Sequence, residues 1–405
     1  MDIEVRPCAS LEELRIALNA IGHYFGHENT VEGTERFSKW MELERMHAAF
    51  DGDRIVGGAG ALSYEMSVPG GASVPAAGVT VVGVLPTHRR RGVLRAMMEA
   101  QRADSRARGD AVAYLWASEG TIYGRFGYGL ASMMGEMRLS RERTRFARPF
   151  EPRGTVRIVD FDEAARTFPP LYEQVRKQRP GMFTRSKEWW ELRRLDDDPS
   201  RRQGGGPKNL VLLELDGKPA GYAIYKVKQD WESGSSVGTV TIMEAVASSP
   251  EASRELWRWL LDFDWTSEFE ANLLPLDHEL FLLLAEPRRM RFALNDGVWV
   301  RPLDVGAALS ARSYSGDGEL VLEVSDELLP ENAGRWRVST AGVERTEAEA
   351  DLELGVTGVG SVYLGGFGFT DLVRASRAEE LKPGAAERGD ALFATGLAPW
   401  CAEIF

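Results

Sequence analysis

The stretch Thr87-His88-Arg89-Arg90-Arg91-Gly92-Val93-Leu94-Arg95 joins an apolar alternating run at 79–85 to a helical pattern at 93–108. Three arginines thus stand where a helix begins, although that end of a helix already carries partial positive charge. A local conflict of this kind often marks function. An anion would resolve it, because free backbone N–H groups, the helix dipole and the guanidinium groups would all point toward it. The stretch therefore predicts a strand–turn–helix unit with an anion site at the turn.

The turn by itself is compatible with two interpretations. An arginine-rich turn before a helix is also compatible with a merely solvated surface. The order strand, Arg-x-x-Gly turn and helix is similar to the segment with which acetyltransferases of the GNAT superfamily hold the pyrophosphate of coenzyme A. Their pattern usually has Gly or Ala two residues after the glycine, where this chain has Leu94.

Composition excludes several other classes of protein. The 405 residues, 43% hydrophobic and 27% charged, are typical of a soluble chain of about two to three domains. We expect no membrane span, and the acidic start at 1–5 is unlike a secretion signal, so the cytoplasm is the expected location. The net charge of −12 argues against nucleic acid as the main partner. Two cysteines and five histidines without metal-ligand spacing predict neither a disulfide framework nor a bound metal.

The pattern of strands and helices predicts three domains, at residues 1–148, 149–297 and 298–405. In the first we predict strands at 3–6, 47–50, 54–62, 79–85 and 111–116 and helices at 11–20, 34–45 and 93–108. In the second we predict strands at 210–215, 221–228 and 237–245 and helices at 168–177, 187–195 and 251–263. In the third we predict strands at 298–304, 319–324, 334–339 and 348–354, helices at 356–364 and 390–395, and an exposed segment at 377–389.

The second domain is predicted to repeat the core of the first without its anion site. The Asp-Gly pairs at 51–52 and 216–217 predict a hairpin in each domain. Before the last helix of the second domain, however, the chain reads Val246-Ala247-Ser248-Ser249-Pro250, with no arginine. An arginine-rich and proline-containing linker at 143–153 separates the two domains.

Three further features are candidates for chemistry. The alternation at 79–85 leaves the backbone of Val82, Gly83 and Val84 available on a strand edge, where an amide chain could pair. Gly83 would permit a bulge or a close approach, although an ordinary central strand with a tolerated glycine is the simpler interpretation.

The glycine-rich run at 118–129 contains Tyr123 and Tyr128. A phenol with a pKa of about 10 is a competent proton donor at neutral pH. Both tyrosines could instead be core residues with satisfied hydroxyls. The position of the run directly after the strand at 111–116 favours function for one of them.

The end of the sequence is unusually apolar, with Trp400, Ile404 and Phe405 among its last six residues. Chain ends are normally polar and frayed, so this one is expected to dock against protein and hold its α-carboxylate in a defined place. Burial would raise the low pKa of that carboxylate and make it a better base. Docking without any chemical role stays the alternative.

Together these features resemble the Eis (enhanced intracellular survival) family of N-acetyltransferases of actinobacteria. The resemblance covers the whole chain and is carried by PTHRRRG within 79–95, ASEGTIYGRFGYG at 117–129, GSVYLGG at 360–366 and the terminal Phe405. Leu94 at its position is itself usual in this family. The resemblance implies an α/β (α+β) chain of tandem GNAT acetyltransferase folds, the second without cofactor, followed by a sterol-carrier-protein-like α+β domain. It also implies a homohexamer.

The resemblance assigns a role to each candidate. Val82, Gly83 and Val84 would hold pantetheine, and Ser118 and Glu119 would complete the cofactor site. The pyrophosphate would lie on Arg90, Arg91, Gly92, Val93, Leu94 and Arg95. Tyr123 would be the general acid and the α-carboxylate of Phe405 the general base, so that acetyl-CoA transfers its acetyl group directly to an amine of a small molecule, aminoglycoside-like molecules included, or to a lysine.

Two departures from the family bear on the acceptor. Aminoglycoside-acetylating members are similar to one another in having an Asp near the first helix and a Glu before the terminal Phe. Here those places hold His23 and Ile404, although Glu403 is adjacent. We therefore expect weaker binding of polycations. The aromatic residues Tyr24, Phe25, Phe37, Trp40 and Trp116 would suit a more aromatic amine, unless they form core.

Two alternative functions stay open. The first is an acyltransferase that uses a longer acyl-CoA, because double acetyltransferase architectures also occur there. The second is a non-enzymatic lipid-binding or scaffold protein whose third domain does the work, although such a protein would have no reason to keep the arginines, the tyrosine run and the apolar end together.

Overall fold

The computed structural model describes residues 3–199, 202 and 204–405, so the first two residues of the acidic start lie outside it. The N-terminal part contains strands β1 (Ile3–Pro7), β2 (Met46–Asp51), β3 (Arg54–Ser67), β4 (Ser73–Val84), β5 (Val112–Trp116) and β6 (Gly129–Leu130). Its helices are α1 (Leu11–Phe25), α2 (Val31–Phe37), α3 (Val93–Ala107) and α4 (Gly120–Tyr123). The hairpin predicted at 51–52 is confirmed between β2 and β3.

The middle part repeats the order of strands and helices apart from an extra first strand and a small two-stranded hairpin. Its strands are β7 (Met133–Ser140), β8 (Thr155–Ile158), β9 (Asn209–Leu215), β10 (Lys218–Lys228), β11 (Trp231–Glu232), β12 (Ser235–Ser236), β13 (Thr239–Ala247), β14 (Glu268–Leu274) and β15 (Ala293–Asp296). Its helices are α5 (Phe161–Arg176), α6 (Lys187–Trp189), α7 (Pro250–Leu260) and α8 (Leu280–Leu283). A π-helix (Trp190–Leu195) continues α6.

The C-terminal part is smaller. Its strands are β16 (Val298–Pro302), β17 (Glu319–Ser325), β18 (Gly334–Ser339), β19 (Gly342–Arg345), β20 (Leu352–Gly355) and β21 (Ala378–Glu380). Its helices are α9 (Val305–Ala311), α10 (Val356–Val362), α11 (Phe369–Arg374) and α12 (Ala385–Phe393).

The described residues form two compact units. The first comprises 1–132, 298–396 and 404–405, and the second comprises 133–297 and 397–403. Unit 1 contains a seven-stranded sheet of order β1-β2-β3-β4-β5-β16-β6 and a five-stranded sheet of order β19-β18-β17-β20-β21. Unit 2 contains a seven-stranded sheet of order β15-β7-β14-β13-β10-β9-β8.

Several element predictions differ from the structure. Helix α1 continues to Phe25 and ends only at Gly26, whose φ of 66° suits a glycine cap. The helix predicted at 34–45 is instead α2 followed by a turn and a 3₁₀ segment, Leu43–Arg45. The strand predicted to open the third domain is β16, which pairs with β5 in the first sheet, Val298 opposite Trp116. A pairing between residues so far apart in sequence leaves no local pattern.

The core of unit 1 positions the strands that matter for function. Buried residues of β4, β5 and α3 pack together with the run after β5, and the shared cluster includes Val79, Met98, Leu115, Tyr123 and Leu303. None of the helices in the described ranges is both long and apolar enough to cross a membrane.

Candidate functional site

The candidate site lies where two neighbouring parallel strands separate. Strands β4 and β5 pair over three residue pairs, from Ala76–Val112 to Gly78–Tyr114. On its other side β4 keeps pairing with β3 as far as Val84, opposite Gly57. In the described residues, the β4 edge that faces β5 is therefore without strand pairing after Gly78, as an extended amide ligand would require.

Local geometry explains the residues on this edge. The β3–β4 register shifts between Gly58 and Gly60, and Val81 adopts a φ of 49°, so β4 bulges at this point. A Cβ on Gly83 would lie 2.7 Å from the Cα of Ile21, so glycine is needed for the close approach of α1. The bulge thus lies beside Gly83, at Val81 and Val82, and the close approach at Gly83 itself is that of helix α1.

One contact on this edge was not foreseen. The hydroxyl of Tyr24, at the end of α1, donates a hydrogen bond of 2.6 Å to the carbonyl oxygen of Val84. Tyr24 is 46% exposed, so its phenol reaches the edge from the solvent side. The aromatic set to which it was assigned is divided: Phe25 is exposed, whereas Phe37 packs against the buried cluster around Leu14.

The arginine turn has the geometry of an open helix start. Arg90 has a φ of 61° and Gly92 a φ of 83°, so both lie in the left-handed region. Gly92 is the N-cap of α3 and supplies no side-chain hydrogen bond to its first turn. Arg90, Arg91 and Arg95 are exposed, whereas Val93 is buried and Leu94 half-buried. Backbone N–H groups and guanidinium groups at one helix start suit a diphosphate.

A buried histidine fixes this turn to the sheet. The Nε2 atom of His88 lies 3.2 Å from a carboxylate oxygen of Asp51, and its Nδ1 atom lies 2.8 Å from the hydroxyl oxygen of Thr87. Asp51 ends β2, so the hairpin and the turn are joined at this point. No role for His88 beyond its place in the motif is predicted from the sequence.

The run after β5 divides into an exposed start and a buried tyrosine. Ser118 and Glu119 are exposed just before α4. Tyr123 is buried, and its ring lies edge-on to that of Tyr128 with centroids 5.9 Å apart. Burial raises the pKa of Tyr123 to about 12. The ring belongs to the cluster that includes Val82 and Leu94, so three predicted site residues come together.

The last residue lies at the point of strand separation. The ring of Phe405 is edge-on to Tyr114, with centroids 4.8 Å apart, and to Tyr64, with centroids 5.5 Å apart. A Cβ on Gly78 would lie 3.2 Å from the Cε2 atom of Phe405. Sequence reasoning missed Tyr64 and Tyr114, because both lie in ordinary apolar strand patterns.

Glu403 does not occupy a position from which it could bind a cationic acceptor. Its side chain is buried, accepts a hydrogen bond of 2.8 Å from Nε1 of Trp189 and lies 3.1 Å from a guanidinium nitrogen of Arg185. Ile404 is 50% exposed and His23 is exposed. None of the positions compared above for polycation binding therefore offers an exposed carboxylate.

Unit 2 contains a similar separation of strands. Strands β13 and β14 pair in parallel from Thr239–Glu268 to Ile242–Ala271. A cavity of about 570 Å³ lies beyond, lined by both strands, the start of α7 and the side chains of Trp400 and Ala402. Ser249 caps α7 with its own hydroxyl, which accepts from the N–H of Ala252. In unit 2 the start of α7, which corresponds to the start of α3 in unit 1, is therefore already capped by a side chain.

Among the residues that the structure describes, no group of three or more His, Cys, Asp or Glu side chains lies close enough together to hold a metal ion.

Comparison with known families gives three matches along the chain. Acetyltransferase (GNAT) domain families match residues 4–131 and 181–302, and the sterol carrier protein domain family matches residues 305–402. The tandem GNAT folds and the sterol-carrier-like third fold predicted from sequence are therefore confirmed. The domain boundaries after residues 148 and 297 stay predictions.

Similar proteins cover nearly the whole chain. An uncharacterised N-acetyltransferase of Streptomyces avermitilis is 41% identical over 92% of this chain and 93% of its own. N-acetyltransferase Eis of Mycobacterium tuberculosis is 35% identical, with 85% of each chain covered. The crystal structure of Eis1 from Mycobacterium abscessus superimposes with a TM-score of 0.87 at 35% identity, over 99% of this chain and 100% of the other.

Proposed function

This chain belongs to the Eis family of GNAT N-acetyltransferases and is an acyltransferase, and we propose that it moves an acetyl group from acetyl-CoA directly to an amine. The acceptor is an amine of a small molecule or of a lysine side chain. The observation that carries this proposal is the place of Phe405, whose ring contacts Tyr114 where β4 and β5 separate.

The donor site uses backbone and charge. The edge of β4 that lacks strand pairing with β5, at Val82, Gly83 and Val84, would pair with the amides of pantetheine. The turn formed by Arg90, Arg91 and Gly92 would bind the diphosphate, together with the start of α3 at Val93, Leu94 and Arg95. Ser118 and Glu119 would complete the site from the end of β5. The exposure of the arginines and the absence of a side-chain cap on α3 support this assignment.

Two groups of this chain would handle the protons. The nitrogen of the amine bonds to the acetyl carbon as the carbon–sulfur bond breaks. The α-carboxylate of Phe405 accepts the proton from the amine, directly or through water, and the hydroxyl of Tyr123 gives its proton to the departing sulfur. Burial raises the pKa of Tyr123 to about 12, so its hydroxyl carries a proton at neutral pH and can give it to the sulfur.

The acceptor site favours amines with a low positive charge. A polycation gains affinity from carboxylates, and His23, Ile404 and the paired Glu403 supply none. We therefore propose that monoamines, aromatic ones among them, are better acceptors than aminoglycosides. By family resemblance we also propose a homohexamer, which light scattering after size-exclusion chromatography would test.

Release of free thiol from acetyl-CoA, measured with a panel of aromatic monoamines, aminoglycosides and lysine peptides, tests this function. We expect thiol release that depends on the amine and a product that is heavier by one acetyl group at each modified nitrogen. A long-chain acyl-CoA is run in parallel, and a preference for it would overturn the donor assignment. Thiol release that no amine stimulates would overturn acetyl transfer to amines.

A further inference from the structure

The segment that leads to Phe405 is held by directional hydrogen bonds within unit 2. The backbone N–H of Ala398 donates to Asp277 at 2.9 Å, and the guanidinium of Arg179 donates to the carbonyl of Ala398 at 2.9 Å. The N–H of Trp400 donates to the carbonyl of Pro180 at 2.8 Å, and its Nε1 donates to the carbonyl of Leu273. Each residue so bonded loses freedom that a chain end normally keeps.

A buried ionic cluster ends this series of contacts. The side chains of Arg185 and Glu244 are fully buried, at 0% exposure, and pair at 2.6 Å. Arg194 lies 3.0 Å from Glu244, and Arg185 lies 3.1 Å from Glu403. Tyr222 donates a hydrogen bond of 2.6 Å to Glu244. Buried charges are tolerated only when paired and hydrogen-bonded, and here each carboxylate has both kinds of partner.

Glu403 contributes a charge that the cluster needs. Three guanidinium groups, those of Arg185, Arg193 and Arg194, lie within 4 Å of its carboxylate. Burial alone would raise the pKa of Glu403, but these arginines outweigh it and lower the pKa. The π-helix (Trp190–Leu195) supplies two of the three arginines, and α6 supplies the Trp189 indole that donates to Glu403.

Building on the acetyl-transfer function, we propose that Glu403 is a positioning residue, which fixes the chain two residues before Phe405 so that the terminal carboxylate is held in place. Ile404, the one residue between Glu403 and Phe405, is 50% exposed. Because the side chain of Glu403 is buried and paired within unit 2, we expect it to contact neither substrate nor cofactor. Its effect passes through Phe405 alone.

Glu403→Gln keeps the shape and one hydrogen bond but removes the charge. A displacement of about 1 Å at a reacting group costs up to about 100-fold in rate. We expect kcat to fall by about ten- to 100-fold, with the KM for acetyl-CoA within about twofold of the unaltered protein. The matched control is Glu255→Gln, because Glu255 on α7 is another buried carboxylate of unit 2 and accepts a hydrogen bond from the backbone N–H of Arg153. It should keep kcat within about twofold, because it lies outside the tail contacts.

Deletion of Phe405 makes the test specific. If Glu403 acts through Phe405, Glu403→Gln lowers kcat in the full chain and has no further effect when Phe405 is deleted. Losses that multiply in the double variant would overturn the proposal. So would a kcat equal to that of Glu255→Gln. If deletion of Phe405 leaves kcat unchanged, or if no amine is acetylated at all, the proposed function itself is wrong.

A second variant and a second readout guard against misfolding of Glu403→Gln. Trp189→Phe removes one hydrogen-bond donor to Glu403 without changing charge, and we expect a smaller loss of kcat of about threefold to tenfold. Carboxypeptidase release of Phe405, followed by mass spectrometry, should be slow in the unaltered protein and faster in both variants. Equal release rates in all three proteins would overturn the proposal without any activity measurement.

Discussion

The ring of Phe405 lies edge-on against the ring of Tyr114, with centroids 4.8 Å apart. Tyr114 is paired with Gly78, the last residue of β4 that pairs with β5. The final side chain of the sequence thus marks the point at which the two strands separate. A thioester along the open edge of β4 would bring its acetyl group toward this point.

Gly78 tests the importance of this packing. A Cβ there would lie 2.5 Å from Cε2 of Tyr64 and 3.2 Å from Cε2 of Phe405, so Gly78→Ala must push the rings apart. We expect kcat to fall by at least about tenfold with a small change in the KM for acetyl-CoA. Gly318→Ala is the matched control, because a Cβ at Gly318 meets nothing within 4 Å. Steady-state kinetics of both variants test this prediction. Equal kcat values for Gly78→Ala and Gly318→Ala would show that the ring contacts are unimportant.

Tyr123 is predicted to be the proton donor of its motif. Tyr123→Phe should lower kcat by about 100-fold, because general acid catalysis contributes about that much. Tyr128→Phe, the neighbouring ring in the same cluster, should leave most of the activity. If Tyr128→Phe shows the larger loss, the assignment has chosen the wrong tyrosine.

The pH dependence follows from the raised pKa of Tyr123, about 12. A raised pKa keeps the proton on the hydroxyl as pH rises, so kcat should show no alkaline decline due to this residue below about pH 11. Because this pKa lies above that of an unfolded tyrosine, the group stabilises the fold below about pH 10 and this contribution is lost as pH rises toward 12. Circular dichroism at each pH separates unfolding from chemistry. A decline in kcat near pH 9 that Tyr123→Phe abolishes would contradict this prediction.

The arginine turn is predicted to contribute to the affinity for acetyl-CoA and not to kcat. Arg90→Gln, Arg91→Gln and Arg95→Gln should each weaken acetyl-CoA binding by about tenfold, the cost of one charge-assisted hydrogen bond, with kcat unchanged at saturation. Calorimetric titration at two salt concentrations should show a weaker salt dependence in each variant. Arg374→Gln, which changes an exposed side chain of α11, serves as control. If all three variants bind acetyl-CoA as tightly as the unaltered protein, the diphosphate does not bind at this turn.

Tyr24 is predicted to compete with the donor for the β4 edge. Its hydroxyl donates a hydrogen bond of 2.6 Å to the carbonyl oxygen of Val84, which the amides of pantetheine would otherwise approach. Tyr24→Phe removes one hydrogen bond, so acetyl-CoA should bind about threefold to tenfold more tightly. Titration of coenzyme A into both proteins measures this. Weaker binding in Tyr24→Phe would mean that the phenol assists the donor.

Local features of the site were predictable from sequence, and long-range ones were not. The arginine turn, the start of α3 at Gly92 and the hairpin at 51–52 follow from patterns within a few residues. The pairing of β16 with β5 joins two segments that are separated in the sequence by residues 133–297 of unit 2, so no local pattern reveals it.

The burial of Glu403 shows the same limit. A glutamate near the end of a chain is ordinarily exposed, and its sequence neighbours give no sign of burial. The arginines that balance its charge, Arg185, Arg193 and Arg194, lie more than two hundred residues earlier in the sequence. Trp189, which donates a hydrogen bond to Glu403, is equally distant in sequence. Only the folded unit 2 brings these groups together.

The most direct test of the central claim changes one functional group. The protein is prepared by ligation with the α-carboxylate of Phe405 converted to a primary amide, which keeps the ring and its contacts but cannot accept a proton. Single-turnover acetyl transfer to the best amine is then compared with that of the ligated acid form. We predict a loss of about 100-fold in rate with unchanged acetyl-CoA affinity. An amide form that transfers acetyl groups as fast as the acid would contradict the assignment of Phe405 as the base.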